Sequence, residues 1–401
     1  MRWLVLVVLT ACSSKSDPMA APADTGVVED SSPLPSCEVA VSKGPWAVAV
    51  DGTTAKIRWE SCKSGGGAIT ILGKRVDSKV SQALVTTTND VPLAKTGDYA
   101  GTYFMHEVAL TGLTPGCHDY VLEQDPTAKG RVCTARAAGD TFSFAAIGDT
   151  NPGLGNITTM LAKVYDQKPD FTIHQGDIQY YSSGLESYTT WMVTMRPMLR
   201  TGGFFPSIGN HENEKPNERE QYIERFWGKP GFDGGSDFYR FQSGGVWFFA
   251  LNTEIALDDK SSQGTWLAEK LEDASKQPGF RFSVLYMHRP FVTCGDTGQN
   301  DALRKVYAPL FARTGVKLVV AGHMHGYERF EFDDTTWVTS AGGGSAPGKV
   351  DENIARAECA DRKSSGTWWN ETLFTVKPGE LSGVTYDDKG ATRDTFTRVV
   401  P

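Results

Sequence analysis

Five short blocks of the 401-residue chain carry side chains able to bind a metal ion or move a proton. They are Gly148-Asp149-Thr150, Gly176-Asp177-Ile178-Gln179-Tyr180, Gly209-Asn210-His211-Glu212, Leu285-Tyr286-Met287-His288 and Gly322-His323-Met324-His325. Each alone is a weak signal. A Gly-Asp after a strand is ordinarily a turn, and a single His there is ordinarily a hydrogen-bonded core residue. His323-x-His325 sets two rings on one face of an extended segment, which suits metal ligation better. Taken together the blocks say more. Of the seven histidines, His174, His211, His288, His323 and His325 all lie in or beside them. Two aspartates, a tyrosine, an asparagine and three histidines supply seven oxygen or nitrogen donors. That exceeds one four-coordinate ion and suits two ions sharing a bridging carboxylate. No Cys stands at these positions, which selects against iron–sulfur and other soft-ligand chemistry.

The elements that must position these donors follow from hydropathy. Apolar runs at Phe142–Ile147, Phe171–His174, Trp247–Leu251, Phe282–Met287 and Val316–Val320 read as buried strands, each ending in a polar, Gly-rich loop. Helical patterns separate them at Thr158–Asp166, Ser187–Leu199, Thr265–Ala274 and Asp301–Arg313. Alternating strand and helix over residues 139–401 predicts an α/β domain with its site at the strand ends. Residues 37–138 differ: short alternating strands such as Thr54–Trp59, turns such as Thr114-Pro115-Gly116 and no helical stretch predict a small all-β sandwich.

Composition bounds the rest. The chain is 40% hydrophobic and 22% charged, as a folded protein is, and its net charge of −8 gives no basic face for nucleic acid. No run of about 18 apolar residues is present, so no spanning helix is expected. Met1-Arg2, the apolar run Trp3–Leu9 and the quartet Leu9-Thr10-Ala11-Cys12 read as a secretory signal of residues 1–11. The quartet resembles a bacterial lipobox, which implies a lipidated Cys12 and an exported, membrane-anchored protein held through that lipid alone, periplasmic or at the cell surface. Residues 12–36, rich in Ser, Pro, Ala and Asp, read as a tether. The remaining cysteines, Cys37, Cys62, Cys117, Cys133, Cys294 and Cys359, are even in number, as three disulfides require. Cys117 and Cys133 flank an expected hairpin, Cys37 and Cys62 share the small domain, and Cys294 with Cys359 would close a long loop.

The five blocks resemble those of the calcineurin-like metallophosphoesterases, and Gly176-Asp177-x-x-Tyr180 resembles the purple acid phosphatase branch. Tyr327-Glu328-Arg329 after the last histidine, and Trp266-Leu267 before the His288 strand, match as well. The resemblance implies a two-sheet β-sandwich flanked by helices for residues 139–401. The smaller sandwich, with Leu110-x-x-Leu113-x-Pro115-Gly116 and Tyr120, resembles a fibronectin type III (immunoglobulin-like) domain. Tyr120 falls one place after the usual corner position, which puts the tyrosine-corner hydrogen bond in question.

Carried over by position, the resemblance implies one ion held by Asp149, Asp177, Tyr180 and His325. A second would be held by Asp177, Asn210, His288 and His323. A phenol ligates as phenolate mainly beside a hard, strongly acidic cation, which suits Fe(III) at the first site; the second ion would be divalent Fe, Zn or Mn. The implied activity is hydrolysis of a small phosphate ester, foremost an acid phosphatase reaction using a metal-bound hydroxide. Asp177 and His211 are then the catalytic residues, with His211 assisting the leaving group, and Asn210, His211 and Arg329 are candidates for substrate contact. His174 reads as structural. Two departures stand out: Asn151 replaces the Gly usual two residues after the Asp, and Arg289-Pro290-Phe291 follows His288 where plant relatives carry histidines. The alternatives are a phosphodiesterase or nucleotidase on the same site, and a non-catalytic surface binding module.

Overall fold

Phe282–Met287 is buried at every position, as a strand covered on both faces by the chain must be. It is the middle of a parallel run in which Val246–Ala250, Phe282–Met287, Val316–Ala321 and Thr335–Ser340 pair in that order. Phe142–Ile147, Phe171–His174 and Gly203–Pro206 form a second parallel run. The computed structural model describes residues 41–85, 101–152, 154–180, 188–213 and 223–401. Residues 1–40, with Cys12, Cys37 and the expected tether, lie outside them.

The two runs belong to different sheets, of ten and eight strands. An aromatic core joins them: Phe171 packs edge-on to Phe248 with centroids 5.1 Å apart, and Phe205 stacks on Phe241 at 3.7 Å. Helices Thr158–Tyr165, Tyr188–Thr194 and Arg196–Leu199 bury Met160, Leu161, Trp191 and Met198 with the outward residues Ala145, Ile147 and Phe204 of the first sheet. Helices Ser262–Ser275 and Asp301–Thr314 cover Phe249, Leu285 and Val319 of the second. This is the mixed α/β architecture the sequence predicts, a two-sheet sandwich flanked by helices.

Local chemistry sets the helix ends. Ser261 accepts from the Gly264 N–H and Asn300 from the Leu303 N–H, so each caps a first turn. The helix predicted from Thr265 therefore begins at Ser262. Gly315, at φ 74°, ends the second helix and releases the chain into Val316–Ala321. The helix predicted over 187–199 is broken at Met195, which caps a new turn with Pro197 in its first positions.

Strands Lys43–Val48, Ala55–Ser61, Gly101–Leu110 and Lys79–Val85 face a four-stranded sheet made of Lys74–Asp77, Ala68–Ile71, Cys117–Leu122 and Lys129–Cys133. Ile57, Trp59, Ile69, Tyr120 and Leu122 fill the space between. The first four strands continue the ten-stranded sheet, because Ala47 pairs in parallel with Gly203. Cys37–Pro401 form one unit. The Tyr120 hydroxyl is buried without a hydrogen-bond partner, so no corner bond forms. Cys117–Cys133 and Cys294–Cys359 are disulfides. Cys62 is also disulfide-bonded, while its expected partner Cys37 lies outside the described residues.

Candidate metal centre

Four of the blocks fall just beyond the carboxyl ends of parallel strands and the fourth in sequence ends there with His288, where open α/β sheets place their sites. Asp149, Asp177 and His323 have φ of 58°, 51° and 67°. That left-handed backbone costs L-residues roughly 1 kcal/mol or more and persists where the surroundings fix it. Here it turns each side chain back into the cleft. The His323 N–H donates to both Asp149 carboxylate oxygens, at 3.1 and 2.9 Å, and holds one strained loop with the other. Two glycines are required by close approach. A Cβ on Gly209 would come 2.2 Å from Asp177 Oδ1, and one on Gly322 would come 2.8 Å from Asp149 Oδ2.

The predicted donors converge. Asp177 Oδ2 lies 3.3 Å from His288 Nε2 and 3.2 Å from the Tyr180 hydroxyl. Tyr180 Oη is 3.4 Å from both Asp149 Oδ1 and His325 Nε2, and His325 Nε2 is 3.2 Å from Asp149 Oδ1. On the other side, His288 Nε2 meets Asn210 Oδ1 at 3.0 Å and His323 Nδ1 at 3.1 Å. In each of two groups, Asp149–Asp177–His325 and Asp177–His288–His323, the donor atoms lie within 4.8 Å of one another, and Asp177 is common to both. His288 and His325 turn their far nitrogens to the carbonyls of Gln175 and Ala346, at 2.9 and 2.8 Å. Those bonds place the proton on Nδ1 and leave Nε2 to face the cleft as a ligand would.

Electrostatics reinforce the geometry. Burial opposes charge on His288, but the adjacent Asp177 carboxylate pushes its pKa up to about 10. Burial likewise opposes charge on His325, and Asp149 overrides it to about 9. Asp177 is held below the usual carboxylate range: burial would raise it, and His288 more than reverses that. Burial, then Asp149 and Asp177, push the Tyr180 phenol well above its ordinary value. Two buried carboxylates drawing protons onto their neighbours mark a cleft whose side chains suit a bound cation.

His211 sits at the rim, 20% exposed, with Nε2 3.7 Å from Asp177 Oδ2 and its ring against Tyr180 at 4.1 Å. His174 is buried, its Nε2 3.0 Å from Thr150 Oγ1, and burial pushes its pKa down to about 3. It braces the Asp149 loop and does not face the cleft donors. Arg329 requires a correction. Its guanidinium pairs with Asp394 at 2.6 Å and Glu331 at 2.9 Å over the sheet, three of its five N–H donors are engaged there, and the structure does not bring it together with the cleft donors.

Two residues were missed. Glu212, fully buried, accepts from the N–H groups of Asp177 (2.9 Å), Ile178 (2.7 Å) and Gly209 (2.7 Å), tying two ligand loops together. Its place in Gly209-Asn210-His211-Glu212 was the available signal, and burial with Asp177 nearby raises its pKa to about 8. Arg289 sends Nη1 to His323 Nε2 at 2.8 Å; only its adjacency to His288 hinted at that. The Cys294–Cys359 bridge and buried Glu328, which accepts from Cys294 N at 3.0 Å and Arg362 Nη1 at 3.0 Å, anchor the loop carrying Arg289.

A two-sheet α/β sandwich with this donor set at its strand ends has the architecture of the metallophosphoesterase fold. Residues 142–327 match the calcineurin-like phosphoesterase family. The chain is similar to an uncharacterized protein of Mycobacterium tuberculosis, 27% identical over 231 residues, which covers 52% of this chain and 41% of that one. It is 26% identical over 196 residues to purple acid phosphatase 18 of Arabidopsis thaliana, covering 47% and 44%. The chain thus spans less than half the length of these curated relatives. In structure it resembles purple acid phosphatase PPD1 from yellow lupin seeds, with a TM-score of 0.73 at 15% identity over 88% of this chain and 74% of that one. The match to the calcineurin-like phosphoesterase family thus rests on residues 142–327, and purple acid phosphatases are among the proteins this chain is similar to.

Proposed function

We propose that this chain is a metal-dependent phosphoric ester hydrolase, acting foremost as an acid phosphatase on monoesters. The observation that carries the reading is the sharing of Asp177 by both donor groups, with the Tyr180 hydroxyl 3.2 Å from its carboxylate. Asp149, Asp177, Tyr180 and His325 would hold one ion, and Asp177, Asn210, His288 and His323 the other. A phenol that its surroundings keep protonated yields to ligation only beside a strongly polarising cation, which favours Fe(III) at the first site and a divalent Fe, Zn or Mn at the second. Such a pair, when bound, supplies Lewis acidity toward phosphate oxygens and acidifies a water.

The chain's own residues do the rest. Glu212 and the left-handed turns fix the ligand loops. Asn210 and His211 face the place a phosphate would occupy, and His211, at the rim, is positioned to give a proton to the departing alcohol. The Met1–Cys12 sequence supports export with lipid on Cys12, and the N-terminal sandwich supports a fibronectin type III-like spacer; a small phosphorylated substrate is the partner, with no role for nucleic acid.

The test is metal content of the mature protein, followed by hydrolysis of a mono- and a diester of one phenol. About one iron and one divalent ion per chain, with a purple or pink colour, and faster monoester cleavage are expected. A faster diester would move the reading to a phosphodiesterase. Failure to take up metal on reconstitution would overturn it in favour of a binding module.

A further inference from the structure

A cavity of about 510 Å³ opens beside Arg289, the residue following His288. Its walls are largely apolar, with Ile255, Leu257, Pro290, Phe291 and Leu303 among them. Three of the polar side chains on its lining each hold a local backbone N–H. Asp258 Oδ1 accepts from the Lys260 N–H at 2.9 Å, Gln299 Oε1 from the Thr293 N–H at 3.3 Å, and Asn300 Oδ1 from the Leu303 N–H at 3.1 Å. A group entering this space gains chiefly by leaving water, since its walls are largely apolar.

Arg289 stands between the cavity and the candidate metal centre. Glu254 grips it in a fork, Nε to Oε1 at 2.8 Å and Nη2 to Oε2 at 2.9 Å, and its backbone N–H donates to Thr253 Oγ1 at 2.9 Å. Nη1 reaches His323 Nε2 at 2.8 Å, and Nη2 is 3.4 Å from Asn210 Oδ1. His323 turns Nδ1 toward His288. A neutral ring that gives Nδ1 to an ion carries its proton on Nε2, and an N–H cannot accept from a guanidinium. Nη1 would then be open to another acceptor, on a side chain 41% exposed to water. A phosphate oxygen between the centre and the cavity could take that place, and a guanidinium held in a fork suits it.

We propose that this cavity receives the alcohol portion of the ester, an aromatic or similarly flat apolar group, while Arg289 donates to a phosphate oxygen at its mouth. The inference rests on the phosphoester reading above and narrows its substrate class.

Two esters whose alcohols have similar acidity test it: 2-phenylethyl phosphate and ethyl phosphate. The full chain should show kcat/KM about thirtyfold higher for the phenyl ester, chiefly through KM. Ala302→Trp, which fills the cavity from an exposed position on its lining, should collapse that ratio toward one and abolish binding of free 2-phenylethanol followed by NMR. Arg289→Ala should weaken inhibition by inorganic phosphate about tenfold while metal per chain stays at the wild-type value. Equal kcat/KM for the two esters with no binding of 2-phenylethanol would overturn the cavity's role. Unchanged phosphate inhibition, or loss of metal, in Arg289→Ala would overturn the phosphate contact and leave the residue a support for His323. Turnover of neither ester would overturn the phosphoester reading itself; the cavity is then decided by 2-phenylethanol alone, whose loss in Ala302→Trp upholds it and whose failure to bind wild type overturns it.

Discussion

Two buried acidic clusters in this protein solve the same electrostatic problem differently. Glu60, fully buried on strand Ala55–Ser61, accepts from Lys43 Nζ at 2.8 Å and Arg225 Nη1 at 2.5 Å, both themselves largely buried. Lys43 also lies over the Tyr103 ring, 4.8 Å from its centroid. That cluster carries permanent cations from its own chain and is closed. Asp149 and Asp177 are as deeply buried, yet the side chains that ion-pair with them are His211, His288 and His325. Imidazoles carry charge only while protonated and bind a metal only when they are not. A buried carboxylate facing Lys and Arg therefore serves the fold, and one facing histidines is available to a cation from outside.

The comparison can be broken at its strongest point first. Asp177→Asn removes the carboxylate common to both donor groups and should cut phosphomonoester turnover by on the order of a thousandfold, with metal per chain falling alongside. Elemental analysis and kinetics on one preparation decide it, and normal metal content with normal turnover would end the shared-ligand reading. Glu60→Gln should do the reverse. Leaving Lys43 and Arg225 buried against each other costs about 3–4 kcal/mol of stability in denaturant titration, while metal content of the folded fraction stays at the wild-type value. Loss of metal there would mean that the two clusters are not independent.

Glu371 sharpens the contrast as a third case, with neither cation nor donor set. Its carboxyl oxygens are buried with only the Tyr165 hydroxyl alongside, which is itself 3.0 Å from Thr172 Oγ1. Burial pushes its pKa up to about 8 from an ordinary 4.5. The folded chain then keeps a proton that the unfolded chain releases, so stability present below pH 4.5 is lost as pH rises toward 8. Glu371→Gln should remove that loss, gaining about 4 kcal/mol at pH 8 and less than about 1 kcal/mol at pH 5. A mutant that gains equally at both pH values would show the effect is packing and not ionisation.

Much of the site was legible in the sequence because its signals are local. Asp149, Asp177, Tyr180, His288, His323 and His325 each sit a few residues past an apolar run, and a strand must end before a polar ligand can face a cleft; Asn210 was read from its own Gly209-Asn210-His211-Glu212 block. The strand Gly203–Pro206 was not legible: four residues that begin with Gly and end with Pro resemble a turn, and only pairing with Phe171–His174 makes them a strand. The antiparallel strands Asn370–Lys377, Glu380–Asp387 and Thr392–Val399 were likewise unread, because their place is set by pairing with Phe142–Ile147. Arg329 misled for a related reason. Its position after Tyr327-Glu328 brings it near the site in sequence, while strand register turns it onto Asp394, 65 residues away.

By itself, then, the sequence determined the donor inventory, the strand–helix alternation and the helix caps, all of which depend on residues within a turn or two of each other. Tertiary structure decided which donors share Asp177, that Glu212 ties two loops, that Arg289 meets His323, and that three ligands take a left-handed backbone. These depend on sheet order and on the approach of segments from 34 residues apart, as Arg289 and His323 are, to 174, as when His323 N–H closes on Asp149. No local periodicity encodes a contact of that span; it exists only once the two sheets have packed and brought the ends of their parallel strands to one edge.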